Sequence, residues 1–146
     1  MKRTTLLLIT LISCLLTAKA THIVGGGFSY SRVSNDTYRF NLTLYFDYIN
    51  GNSGAKDSFA TCHLFQKSNN IYLDSIDLPL VDSSRFLPFS NPRCGTRVNL
   101  KTQVLQYSRL IQVNPAFFDA PQGSYLIWGR CCRNDVISNI NAPEAT

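Results

Sequence analysis

The sequence predicts an all-β protein, an antiparallel immunoglobulin-like sandwich supported by disulfides. Three observations predict it. Apolar and polar residues alternate at residues 37–48, the period of a strand with one buried face. Turn-forming tripeptides, Ser34-Asn35-Asp36 and Ser68-Asn69-Asn70, separate apolar runs, and no segment after residue 20 has a helical period. Four cysteines, Cys62, Cys94, Cys131 and Cys132, follow an export signal, and an even number in an exported chain points to a disulfide framework.

Residues 1–20 read as that signal. Lys2 and Arg3 precede an apolar core at residues 6–16, and Ala18-Lys19-Ala20 offers small residues to a signal peptidase. Such a core reaches about 16 Å as a helix, half of a bilayer core, which disfavours a membrane anchor. Leu11-Ile12-Ser13-Cys14 is similar to a lipobox. The apolar run continues through Leu15 and Leu16, however, so the expected product is a secreted or cell-surface chain that begins at Thr21 and does not insert into a membrane. Residues 21–146 are then a single β domain.

Within it, Tyr38, Phe40, Leu42, Leu44, Phe46 and Tyr48 fall on one face of the strongest strand. Residues 23–30 are expected to pair with it as a hairpin across Ser34-Asn35-Asp36, and the Asn50-Gly51-Asn52-Ser53-Gly54 run ends it. Strands follow at residues 59–65 and 71–76. Pro79, Pro88 and Pro92 mark residues 78–93 as an irregular connection. Residues 98–113 predict one bent strand or two short ones. Residues 125–128 are apolar on both faces and predict a central strand.

Composition narrows the function. Once Lys2, Arg3 and Lys19 leave, eleven basic residues face nine acidic ones, a net charge of +2. No basic cluster interleaves with aromatics, so no nucleic-acid partner is expected. The mature chain holds one glutamate, Glu144, and two histidines, His22 and His63. That inventory gives no acid–base pair for a secreted hydrolase, and we expect neither an enzyme nor a cofactor.

The cysteines allow several arrangements. Zinc sites space paired cysteines two to four residues apart, which the adjacent Cys131 and Cys132 do not, and strand alternation points Cys62 and His63 to opposite faces. No metal site is expected. A bond between Cys131 and Cys132 would close a strained ring. We expect instead that Cys94 bridges to one of this pair and Cys62 to the other. Other tempting features have plainer readings. Ile23-Val24-Gly25-Gly26 is similar to an activated protease terminus, but the remainder of such an enzyme is missing, which leaves a glycine-rich strand start or bulge. Thr21 has no companion that would make it a nucleophile. Asp74, Asp77 and Asp82 lack calcium-loop spacing. Asn35 and Asn41 begin glycan-acceptor tripeptides, which matter only in a eukaryotic host.

Two segments resemble a known family. Ala20-Thr-His-Ile-Val-Gly-Gly-Gly-Phe-Ser-Tyr30 is similar to the start of large exported surface proteins of the Bacteroidota, and Gly123-Ser-Tyr-Leu-Ile-Trp-Gly-Arg-Cys-Cys-Arg-Asn134 to their aromatic strand and Cys-Cys-Arg-Asn segment. Gly27 stands where these proteins carry an acidic residue, and Tyr48 where they carry a cysteine. The resemblance implies the head domain of a gliding-motility-associated surface protein, one that in longer members precedes repeats and a sorting domain for type IX secretion. It implies no assigned chemistry.

The expected function is a non-enzymatic module for cell-surface structure or adhesion, whose partner is an extracellular protein or a polysaccharide surface. The alternative is a carbohydrate-binding domain, with Tyr45, Tyr125 or Trp128 stacking on sugar rings. A planar row of exposed aromatics would distinguish it.

Overall fold

A computed structural model describes residues 23–88, 101–114 and 121–130. Six strands form one antiparallel sheet: β1 (Ile23–Arg32), β2 (Thr37–Asp47), β3 (Phe59–Gln66), β4 (Tyr72–Asp82), β5 (Thr102–Gln112) and β6 (Ser124–Ile127). Their order across the sheet is β1-β2-β5-β4-β3-β6. The helical element among the described residues is a 3-10 turn at Ser53–Ala55, and no helix there is long and apolar enough to cross a membrane.

The first hairpin forms as its alternation predicts. β1 pairs with β2, with a register shift between Ile23 and Gly25, so the glycine run does open on a bulge. Gly26 is required there, because a Cβ would stand 2.7 Å from both Leu44 Cδ2 and Thr43 O. The connecting turn is clamped by Arg32, whose Nη2 donates to Asn35 O at 2.9 Å. β2 then pairs with β5 without a shift, from Thr37↔Gln112 to Asp47↔Thr102. In this unbroken register Leu42, Leu44 and Phe46 lie opposite Tyr107, Leu105 and Gln103 on one face.

The second hairpin, β3–β4, turns at residues 67–70. Asn70 takes the left-handed conformation there, at φ +58°, which asparagine tolerates. Pairing between β4 and β5 is confined to Leu80↔Tyr107 and Asp82↔Gln106, with a shift between them. At this narrow seam the sheet curls. Leu42, Leu44, Phe46, Ala60, Cys62, Leu78, Leu105 and Tyr107, drawn from β2, β3, β4 and β5, form one buried cluster on the enclosed side.

Of three expectations, two need correction and one is narrowed to its first alternative. Residues 78–82 were expected in the irregular connection, yet β4 runs through Pro79 to Asp82. Leu80 N–H donates to Ser58 O on the β3 side, so the absent donor of Pro79 faces β5, where the ladder starts only at Leu80. Residues 98–113 were expected as a bent strand or two short ones; within the described part they contribute the single strand β5. Residues 125–128 were expected as a central strand. Instead, among the described strands, four-residue β6 pairs with β3 alone and ends the sheet order, and Ile127 is exposed. The central strand buried on both faces is β5, where consecutive residues Thr102, Gln103, Val104 and Leu105 are all buried.

Polar groups drawn into the interior are tied to the backbone. Tyr107, 2 % exposed, donates its hydroxyl to Asp57 O at 3.0 Å. Burial pushes its phenol pKa up; the Asp57 charge adds to this and Arg130 opposes it. Arg130 also pairs with the Asp57 carboxylate and donates to Ala55 O at 2.8 Å, joining the chain after β6 to the 3-10 turn.

Candidate binding surface

Besides the tilted rings of Tyr30, Tyr38 and Phe40 on the β1–β2 hairpin, 6.3–6.4 Å apart, two aromatic assemblies lie outside the buried cluster. The first is on the outer face of β3, β4 and β6. Phe65 lies opposite both Tyr72 and Tyr125 in register. The Phe65 and Tyr125 rings stack at 5.6 Å with 16° between planes, whereas Tyr72 stands at 75° to Phe65. His63 continues the ladder, 6.1 Å from Tyr72. Tyr125 donates its hydroxyl to Asn70 Oδ1 at 2.9 Å. These rings pack on one another as cross-strand pairs do. They share no plane, so the flat row that a sugar platform needs does not form here.

The second assembly sits where β2 ends and β5 begins. Asp47 holds the chain as it leaves β2: Oδ1 accepts from Ile49 N and Asn50 N at 3.1 and 3.0 Å, and Oδ2 from Asn50 Nδ2 at 2.9 Å. Gly51 closes the turn, where a Cβ would meet Asp47 O at 2.3 Å. Tyr48 N–H donates to Lys101 O at 2.9 Å, which carries the β2–β5 ladder one step further. On the other edge of β5, Leu87 N donates to Thr102 O and Val104 N to Arg85 O, both at 2.9 Å, and these bonds place Phe86. Tyr48 and Phe86 meet edge to face at 5.1 Å.

Two lysines complete the assembly. Lys56 Nζ lies 4.7 Å from the Phe46 ring centre and 5.1 Å from that of Tyr48. Lys101 Nζ lies 5.0 Å from Tyr48 and 4.1 Å from Phe86. Each such contact stabilises by about 0.5–1 kcal/mol at an exposed site. Two cations therefore share the Tyr48 ring. Among the described residues the ion pairs are Arg85–Asp82 and Arg130–Asp57, and neither lysine has an acidic partner. Tyr48 and Phe86 remain 46 % and 37 % exposed. Gln103 is buried opposite Phe46 and Phe86; its Nε2 donates to Ser83 O, while its Oε1 has no partner among the described residues. An orphan buried acceptor of this kind costs about 1–3 kcal/mol.

The residues singled out in the sequence are dispersed. Cys94, Cys131 and Cys132 lie outside the described residues, as do Thr21, His22 and Glu144. Cys62 is fully buried and has no disulfide partner among the described residues, and its Sγ contacts Ala60 O at 3.7 Å. Burial, with a smaller contribution from Asp77, pushes its pKa up to about 11. His63, the next residue, is exposed on the opposite face. Among the described residues no three of His, Cys, Asp and Glu gather as a metal site. Asp77 accepts from Thr61 Oγ1 at 2.6 Å, and Asp82 from Ser84 and Arg85. Asn41 Oδ1 is taken by the Ser108 hydroxyl at 2.7 Å. Tyr45 is half-buried on the outer face against Gly25, and Trp128 packs on the core cluster.

Sequence reasoning missed Lys56, Phe86 and Lys101 and set Tyr48 on the core face. Tyr48 does continue the even-numbered row of β2, but it falls beyond Asp47, whose side chain turns the chain outward. No local signal joins the four residues. The β2–β5 register brings them together.

No family model, curated protein or solved structure matches the chain.

Proposed function

We propose that the chain is an exported, non-enzymatic module for cell-surface structure or adhesion, the head of a larger surface protein related to the gliding-motility-associated proteins it resembles. The observation that carries this reading is the backbone-anchored assembly of Tyr48, Phe86, Lys56 and Lys101, a part-exposed contact surface. The signal-like residues 1–20 and the Cys-Cys-Arg-Asn segment support export and surface placement. Carbohydrate binding is the second reading. The exposed rings and the cations without an acidic partner among the described residues favour it over a purely structural role.

Two finer features of the fold belong to the same proposal. The β1-β2-β5 and β4-β3-β6 arms act as the two layers of a sandwich, supported by the cluster to which β2 and β5 contribute on one side and β3 and β4 on the other. Cys62 bridges to one of Cys131 and Cys132, and Cys94 to the other. Burial disfavours the Cys62 thiolate, which slows its attack on a disulfide once β3 is packed.

Fractionation of expressing cells tests the reading. The protein is expected in the secreted or surface fraction with Thr21 at its terminus, and non-reducing peptide maps are expected to link Cys62 and Cys94 to the vicinal pair. Retention in the cytoplasm with residues 1–20 intact would overturn export. A lipid-modified Cys14 would replace the secreted chain with a membrane-anchored one.

A further inference from the structure

We propose that Tyr48, Lys56, Phe86 and Lys101 form a binding site for uronate residues of an acidic polysaccharide. The inference rests on the surface-adhesion reading and names its ligand. Four observations lead to it. First, two ammonium groups sit within 5.1 Å of one ring centre without an acidic partner among the described residues. Both charges are thus left for an anionic ligand to neutralise. Second, ring faces satisfy the lysines only in part. Each ammonium has three donors, and a ring takes at most one of them, which leaves N–H groups for a carboxylate.

Third, the rings supply what a sugar needs beyond charge. Tyr48 and Phe86 meet at 90° and are exposed, so together they offer an apolar corner to the C–H face of a pyranose. Fourth, the site is preorganised. Backbone bonds from Tyr48 to Lys101 and from Leu87 to Thr102, with the Asp47 turn, fix both rings and one lysine before any ligand arrives. Preorganisation of this kind lowers the ordering cost of binding.

Other anionic partners fit less well. Nucleic acid needs a basic stripe that follows its phosphates. Here the assembly holds two lysines, and Arg85 and Arg130 are each neutralised by an aspartate. A membrane surface needs a polybasic cluster of four or more cations. A uronate chain presents one carboxylate per sugar ring, matching two cations interleaved with aromatics.

The test is retardation of the exported protein in native gels containing polygalacturonate, with pullulan as the neutral polymer and phosphatidylglycerol vesicles as the anionic membrane. The Lys56→Gln/Lys101→Gln protein removes both charges while keeping polar side chains at the two positions. Surface ion pairs of this type imply a roughly tenfold loss of affinity for polygalacturonate. The charge-matched Arg39→Gln/Lys67→Gln protein, altered elsewhere on the surface, is expected to bind nearly as the parent does. Lys101→Gln alone supplies a milder variant should the double one unfold, and is expected to lose affinity in part. Equal losses in the two double variants would reduce the effect to net charge and overturn the site. Binding to pullulan or to the vesicles in preference to polygalacturonate would overturn the ligand. A protein found on the cell surface that ignores polygalacturonate would refute this inference and leave the adhesion reading standing, whereas cytoplasmic retention would refute that reading.

Discussion

Phe46→Ala is expected to destabilise the fold by about 3–5 kcal/mol. The ring is 1 % exposed and is enclosed from several directions. Ile23 on β1 and Gln103 on β5 lie across from it in register. The Gly51 backbone closes one end, so tightly that a Cβ there would stand 2.7 Å from Phe46 Cζ. Lys56 covers it from the solvent side. The surrounding strands and turn leave little freedom to collapse into the vacated space, which places the cost in the upper part of the range for aromatic truncations. Single domains are stable by only about 5–15 kcal/mol, so the loss is a large fraction of the whole. Urea melts of parent and variant measure it. Phe59→Ala is the comparison, because Phe59 is 59 % exposed on β3, and its truncation is expected to cost under about 1 kcal/mol. Similar shifts for both positions would contradict the placement of the core.

Gln106→Pro is expected to abolish folding. Gln106 lies opposite Thr43 on β2 and Asp82 on β4, so both edges of its strand are occupied. Proline removes a ladder donor there and forces its ring between paired strands, at a cost of about 3 kcal/mol or more. The β4 pairing is confined to two positions, and this substitution disrupts one of them. The edge strand gives the contrast. N–H groups on β1 alternate between β2 and solvent, so proline is tolerated at one of the neighbours Ser29 and Tyr30 and not at the other. Circular dichroism of the three variants tests the strand order. A folded Gln106→Pro protein would show that β5 is not central.

The strands whose burial is local were legible in the sequence. β2 announces itself because one face of a strand repeats every second residue, and Leu42, Leu44 and Phe46 are buried as that period requires. Both hairpins follow from their turn residues, and the opposite fates of Cys62 and His63 follow from alternation alone. What failed depended on which strand neighbours which. Residues 124–127 look central because they are apolar on both faces, yet nothing local records that β3 is their one partner among the described strands. Pro79 looks like a break until its missing donor is seen to face the seam between β4 and β5. The binding surface was less legible still. Tyr48, Lys56, Phe86 and Lys101 come from four separate segments, and the β2–β5 register makes them neighbours. The cysteines that carried most of the sequence reading, Cys94, Cys131 and Cys132, lie outside the described residues.

The claim that this end of the sheet is the contact surface is tested most directly by nuclear magnetic resonance. Backbone and side-chain signals of the labelled protein would be followed during titration with a galacturonate oligosaccharide. The account predicts shifts concentrated at Tyr48, Lys56, Phe86 and Lys101, with the Phe65, Tyr72 and Tyr125 ladder unmoved. Shifts confined to that ladder, or none at saturating oligosaccharide, would contradict it.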